Sequence, residues 1–531
     1  MPLPTPLRLT GGIVGVFLLS LGMFAAAPAY DVVIRGGLVH DGRGGSATVA
    51  DVAWRGDRIA AVGALPAASG RVEIDARGWH VAPGFIDGHS HAGDRELLQP
   101  DLASAGPLLA QGVTTVFINA DGWGLVDLAA QRKAFLAAGP GVNVAPMIGH
   151  RPVRMAVLGL VNRAPDPAEL DRMRALVRTA FERDGAFGLS TGLIYPPASF
   201  AQTDELLALA RVAAESGGFY HSHIRDESDF DGRRAAMEEL IAIVRETRTT
   251  GIVTHIKGSG PTVWGRAADQ IRQIEEARAA GLAIWADQYP YEAGATYLSA
   301  LLLPGWAQEG DAEQLKARLA DPATRSRIRS EVLDRIARRG GAGALMISEF
   351  TPDRSVEGRR LDELARLRKQ EPVDVALDLF ATGEPRCLSF SMREEDIVAF
   401  MRQPWTMTGS DGFGVAEPHP RSYGTFTRKL QTYALERKVI SLARALHSMT
   451  GQPAEVLGLR DRGVLRPGAF ADVVVFDPAR LRERATYAQP RAWAEGMVHV
   501  FVNGQPAFAD GKPTAVRAGR VLSRRDPQQD P

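Results

Sequence analysis

Between Pro83 and Met449 the chain repeats one kind of unit: a short apolar run, a polar residue just past its end, and then a stretch with helical spacing. The runs "TTVFINADG", "VNVAPMIGH", "AFGLSTGLIY", "GFYHSHIRD", "GIVTHIKGS", "LAIWADQYP" and "WTMTGSDGFG" read as strands. Helical stretches such as "TDELLALARVAAES" and "RRAAMEELIAIVRET" lie among them. Strands alternating with helices argue for a parallel α/β fold, since a parallel pair needs a crossover long enough to hold a helix. A doubly wound sheet and a (β/α)8 TIM-type barrel both meet that condition, and the number of units is about what the barrel requires. The polar residues favour the barrel too. Nearly every run ends in His, Asp, Lys or Asn, and the C-terminal strand ends are where barrel enzymes hold their reactive groups.

The two chain ends have a different texture. "YDVVIRGGLVHDG", "ATVADVAWRGDRIAAVG" and "RVEIDARGWHVAPG" near the start, with "GVLRPGAFADVVVFDP" and "VHVFVNGQPAF" near the end, are strands with Gly and Asp at the turns. Neither end has enough strands for a stable sheet, so residues 30–82 and 450–531 are expected to meet in one small β domain beside a barrel of residues 83–449. Within the barrel, about 289–349 changes to an aromatic and leucine stretch, "YPYEAGATYLSALLLPGW", and then to an Arg-rich helical one. This pattern predicts an insertion that acts as a lid.

The N-terminus carries Arg8, an apolar segment from Ile13 to about Ala27, and small residues at Ala27 and Ala29. This is the layout of a signal peptide, 1–29, cut after Ala29. It predicts an exported protein, periplasmic or secreted. No stable membrane insertion is expected after cleavage, because the apolar run falls short of the roughly 20 residues of a spanning helix. With 62 basic and 62 acidic residues, the bulk charge gives no support for a nucleic-acid or anionic-membrane partner and leaves a small-molecule substrate. Cys387 is the only cysteine, which excludes an intramolecular disulfide and makes His and carboxylates the main candidates for metal ligands.

Only 11 histidines serve 531 residues, yet His89 and His91 stand two apart in "GFIDGHSHAGD". Alternation along a strand sends both to one side. His223 and His255 repeat the pattern at later strand ends, alongside Asp121, His150, Asp287 and Asp411. Imidazoles and carboxylates converging on one barrel mouth suit one or two zinc ions. His150 is read as facing the substrate, and His221 as supporting a ligand rather than being one. Asp411 lies in "MTGSDGFG", where flanking glycines let the chain turn. A carboxylate there can take a proton from an attacking water and pass it to a leaving group. Tyr289, with Tyr291, Tyr297 and Trp306, suggests an apolar pocket near the insertion.

"PGFIDGHSHAGD", "FGLSTGLIYPP", "YHSHIRDE", "THIKGSG", "YPYEAGAT", "PHPRSYGTF" and "MTGQPAEVLGL" are together distinctive. From about Tyr30 to Phe508 the chain resembles the amidohydrolase superfamily and, more closely, the N-acyl-D-amino-acid deacylases, or D-aminoacylases. The two spaced histidines indicate only the superfamily; "GLSTGLIYPP", "SHIRDE" and "HPRSYGTF" are far more specific. The resemblance implies a β sandwich from both chain ends, a metal-bearing barrel and a small inserted lid. It also implies His89, His91 and Asp411 at a first metal position, with His223 and His255 at a second, which these deacylases fill more tightly. Asp411 becomes the general acid/base, while Tyr195, Lys257 and Arg421 become a clamp for the substrate α-carboxylate. The implied activity is zinc-dependent hydrolysis of N-acyl-D-amino acids to a carboxylate and a free D-amino acid.

The chain departs from the family at one ligand. Where relatives commonly carry a metal-ligating cysteine after the second strand, it reads "INADG" and presents Asp121. An aspartate can ligate or bridge zinc through oxygen. No lysine stands in "FGLSTGLIY", which excludes a carboxylated-lysine bridge on that strand. Two rival readings keep the fold. A dipeptidase for D-terminal dipeptides, or a cyclic amide or lactone hydrolase, keeps the metal. A substrate with no free carboxylate would, however, leave Arg421, Tyr195 and Lys257 poorly used. A non-catalytic exported binding protein would have no use for a proton shuttle at Asp411.

Overall fold

Alternating apolar residues build the first strands, and the chain then returns to them from its far end. The computed structural model describes residues 1–2, 28–93, 96–412 and 418–525; the apolar segment expected to be a signal peptide lies outside the described residues. Among the described residues no helix is long and apolar enough to cross a membrane. β1 (Tyr30–Val39), β2 (Thr48–Arg55), β3 (Arg58–Gly63), β4 (Gly70–Asp75) and β5 (His80–Pro83) come first. β1 runs parallel to β4 along its first half and to β5 along its second, changing partner near an irregularity between Ile34 and Gly37.

Gly84 alone separates β5 from β6 (Phe85–Asp87), the first strand of the barrel. β7 (Val113–Ile118), β8 (Asn143–Pro146), β9 (Ile148–Gly149), β10 (Gly188–Gly192), β11 (Phe219–His223), β12 (Thr250–Val253) and β13 (Ile284–Gln288) follow, with helices such as Thr203–Glu215 and Ala267–Ala279 between them. β6, β7 and β8 pair in parallel, as do β9 to β13, and only Met147 interrupts the strand that β8 and β9 make together.

An inserted lobe then intervenes. β14 (Gly294–Tyr297), β15 (Leu345–Glu349) and β16 (Arg386–Ser389) form an antiparallel sheet in the order β14-β16-β15. Around it Leu298, Leu302, Ile328, Val332, Ile347 and Leu361 pack into a core of their own. The insertion therefore runs on to Ser389, past the limit near 349 expected from sequence, because its central strand is the last of the three to be made. β17 (Thr406–Thr408) pairs in parallel with β13, and a parallel bridge from Ser90 to Gly412 closes the ring. The barrel expectation holds.

β18 (Val473–Phe476), β19 (Met497–Val502), β20 (Gln505–Ala509) and β21 (Lys512–Pro513) join β5 through β18. Among the described residues this makes one nine-stranded sheet from both chain ends. It curls around a shared core in which Trp54 meets Phe501 edge-on at 4.7 Å, with Val32, Ile34, Val473 and Val475 beside them. Each such aliphatic side chain contributes about 1.5–3 kcal/mol by its burial. The C-terminal part of this domain starts later than residue 450. The helix Gly451–Val456 sets Ala454 against Ile86 and Met407 in the barrel.

Candidate metal centre

His89 and His91 leave the end of β6 on the same side, as alternation requires, and both are buried. The His89 ring is fixed from behind. Its Nδ1 donates to Asp287 Oδ1 at 3.2 Å, leaving Nε2 turned toward the barrel axis with no hydrogen-bond partner. Asp287, at the end of β13, also accepts from His221 Nε2 (3.2 Å) and from the backbone N–H of His255 (2.7 Å). Burial by itself pushes its carboxyl up, but His89 and His221 outweigh that and hold it below the usual range. Asp287 thus orients one ligand and braces another strand. His221, expected to support a ligand, shares the Asp287 carboxylate with His89.

Asp121 lies where the remaining groups converge. Its Oδ2 is 3.5 Å from His89 Nε2, His91 Nε2 and His255 Nε2, and 3.7 Å from His223 Nδ1. Asp411 Oδ1 approaches His89 Nε2 at 3.4 Å and His91 Nε2 at 3.3 Å. Ligand atoms about 2.0–2.2 Å from one tetrahedral ion stand roughly 3.3–3.6 Å from each other, so His89, His91, Asp121 and Asp411 are spaced for a metal as they stand. Asp121, His223 and His255 form a second set. There the two imidazoles share a hydrogen bond of 2.8 Å. Burial raises the Asp121 carboxyl, yet His89 and His255 prevail and keep it well below the ordinary value.

The backbone strains to make this convergence. Asp121, His255 and Asp411 have φ of 51°, 36° and 52°, in the left-handed region that non-glycine residues seldom occupy and that marks functional sites. The glycines around Asp411 therefore do not take its turn. Gly409 has another role: a Cβ there would lie 2.8 Å from His89 Cβ and 2.9 Å from Asp287 Oδ1. The Asp411 N–H donates to His89 O at 2.8 Å and fixes the turn.

His223, His255 and Asp411 open into a cavity of about 640 Å³, lined also by Tyr195, Lys257, Tyr289 and Arg421. Tyr195 shares a hydrogen bond with Thr296 Oγ1 (2.9 Å), Lys257 Nζ donates to Glu227 Oε1 (2.9 Å), and Arg421 Nη1 donates to Asp411 Oδ2 (2.6 Å). The Arg421 guanidinium lies 5.0 Å from the centre of the Tyr289 ring. His150 is a correction. It opens the helix His150–Val157, and its Nε2 meets Glu205 Oε1 at 2.7 Å, beside Arg154, which binds the same carboxylate. Because the helix starts one residue past β9, the ring turns away from the cavity. Sequence reasoning missed Glu227, whose Oε1 stands 3.2 Å from His255 Nδ1 and whose Oε2 stands 3.7 Å from His223 Nε2. Its only signal was its place four residues after His223, in "SHIRDE".

Two sets of imidazoles and carboxylates sharing one aspartate at the mouth of a parallel barrel define a metal-dependent hydrolase of the barrel type. Residues 72–508 match the amidohydrolase family. The chain is 35% identical over 517 residues to the N-acyl-D-glutamate deacylase of Alcaligenes xylosoxydans xylosoxydans, covering 93% of this chain and 96% of that one. It is 35% identical over 519 residues to the D-aminoacylase of the same organism, covering 93% and 98%. The crystal structure of N-acyl-D-glutamate deacylase from Bordetella bronchiseptica, complexed with zinc and a phosphonate inhibitor, superposes with a TM-score of 0.80 at 34% identity, over 93% of this chain and 99% of that one. The chain belongs to the amidohydrolase family and, within it, to the N-acyl-D-amino-acid deacylases.

Asp287→Asn keeps the size of the side chain and removes the charge that receives two imidazole N–H groups. The expected result is a 10- to 100-fold weaker affinity for zinc, read by competition against a chelator of known affinity.

Proposed function

We propose that this protein hydrolyses the amide bond of N-acyl-D-amino acids, releasing a carboxylic acid and a free D-amino acid, with zinc held by His89, His91, Asp121 and Asp411 and by Asp121, His223 and His255. One observation carries the reading: a cavity that joins the metal-spaced residues to three groups suited to a carboxylate, namely Lys257, Tyr195 and Arg421. An ammonium and a guanidinium fork suit an anion better than any neutral group. When bound, zinc acidifies water and polarises an amide carbonyl.

The chain's own residues account for the rest. Lys257, Tyr195 and Arg421 hold the α-carboxylate and so fix the α-carbon, and the configuration then decides which way the side chain points. Asp411, ionised beside Arg421, accepts the proton of the attacking water and returns it to the amine nitrogen as the C–N bond breaks. Asp287 and Glu227 keep the imidazoles turned inward.

The test is zinc per chain measured together with amine release from paired N-acetyl-D- and N-acetyl-L-amino acids. D-selective release that a chelator removes and added zinc restores is the expected result. Bound zinc without cleavage of either enantiomer would sink the substrate assignment.

A further inference from the structure

The cavity wall opposite the barrel comes from the inserted lobe, and its charges are uneven. Arg335 and Arg339, four residues apart at the end of the helix Pro322–Arg338, both line the cavity. Side chains at that spacing are neighbours on one helix face, where like charges repel. Among the described residues neither guanidinium has a carboxylate within ion-pair distance. Arg335 Nη1 donates to Leu303 O at 3.1 Å, and Arg339 Nη1 to Ser259 Oγ at 3.0 Å.

Of the other cations of the wall, Arg338 pairs with Asp334 (2.9 Å) and Arg225 with Glu239 (3.0 Å), while Lys257 and Arg421 belong to the proposed α-carboxylate clamp. Glu331 accepts from Trp306 Nε1, and Asp226 is turned into its own loop, accepting from Ser228 N and Asp229 N. Glu331, Asp226 and Asp334 act on Arg335 and Glu227 and Asp226 on Arg339 from beyond ion-pair distance, but burial is the larger influence and lowers both guanidiniums from their usual values. Ser259 is two residues past Lys257, so this patch continues directly from the α-carboxylate clamp. The relatives do not decide the matter, since the chain is 35% identical both to an N-acyl-D-glutamate deacylase and to a D-aminoacylase.

We propose that Arg335 and Arg339 form a second anion subsite in the catalytic cavity, so that the preferred substrate carries a second carboxylate beyond the one on its α-carbon. The inference rests on the deacylase reading and names the substrate class within it. The second carboxylate belongs either to an acidic side chain or to a dicarboxylic acyl group, and the experiment separates the two. Turnover of N-acetyl-D-glutamate, N-succinyl-D-leucine and N-acetyl-D-leucine is compared for the zinc-loaded protein and for Arg335→Gln, Arg339→Gln and both Arg→Lys variants. Zinc content and Tm are measured alongside.

The expected kcat/KM for one of the two dianions exceeds that for N-acetyl-D-leucine by about 10- to 100-fold, as one or two charge-assisted hydrogen bonds give. Each Gln variant reduces that ratio, each Lys variant restores part of it, and Arg338→Gln leaves it in place. The dianion preferred says where the carboxylate sits. Equal or better use of N-acetyl-D-leucine overturns the subsite, and so does a preference that the variants do not move. If no substrate is hydrolysed, the deacylase reading fails instead. Binding of glutarate against butyrate then decides the subsite separately: tighter glutarate binding lost in the Gln variants supports it, and equal binding overturns it.

Discussion

Asp411→Asn is expected to lower kcat by about 10²- to 10⁴-fold, the range attributed to a positioned general acid/base, while keeping the zinc held by Asp121, His223 and His255 and leaving KM little changed. The choice of asparagine matters. Asp411 has a φ of 52°, a conformation that Asn adopts at less cost than Ala. The amide keeps an oxygen toward His89 and His91 but cannot carry a proton away. In the native protein burial raises the Asp411 carboxyl, and Arg421 together with His89 overcomes this and holds it well below the usual carboxylate range. Asp411 is therefore ionised at neutral pH, the form that a proton acceptor must start from. Zinc per chain, Tm and steady-state kinetics on the same preparation check the prediction; loss of zinc in parallel with activity would assign Asp411 to ligation alone.

Removing the charge from Asp121 is expected to act on both ligand sets together. Asp121→Asn, which also tolerates the left-handed backbone, should weaken zinc binding by at least about 100-fold, since disturbing a neighbour of a ligand already costs 10- to 100-fold. The reason is that, among the described residues, Asp121 Oδ2 is the one carboxylate oxygen close to His89, His91, His223 and His255 together. Asp121→Cys offers a softer thiolate in its place and should keep a single tightly held zinc. Elemental analysis after graded exposure to chelator separates the variants. An unchanged stoichiometry in Asp121→Asn would remove Asp121 from the ligand set.

The residues that approach the metal were legible because strand alternation and a polar strand end need only a few consecutive letters. His89, His91, Asp121, His223, His255 and Asp411 all came from that pattern, and the structure brings them together. The same pattern misled at His150, because it cannot tell a strand end that opens into the cavity from one where a helix begins at once and turns the ring toward Glu205. The bracing by Asp287 was out of reach, since it depends on pairings between distant strands, and Glu227 gave only its spacing from His223. Also out of reach was the true extent of the insertion, because β16 lies between β14 and β15 although it is made after both.

The path of β5 has a consequence for the order in which this protein is completed during synthesis. Val81 pairs on one side with Val39, close behind it, and on the other with Val475. The first barrel strand leaves that same β5 after a single glycine. A nascent chain thus carries its opening strands with one edge bare until the last strands emerge from the ribosome, a long-range closure of the kind that folds slowly and invites foreign strands. The β domain becomes whole only once β18 has been made and has paired with β5.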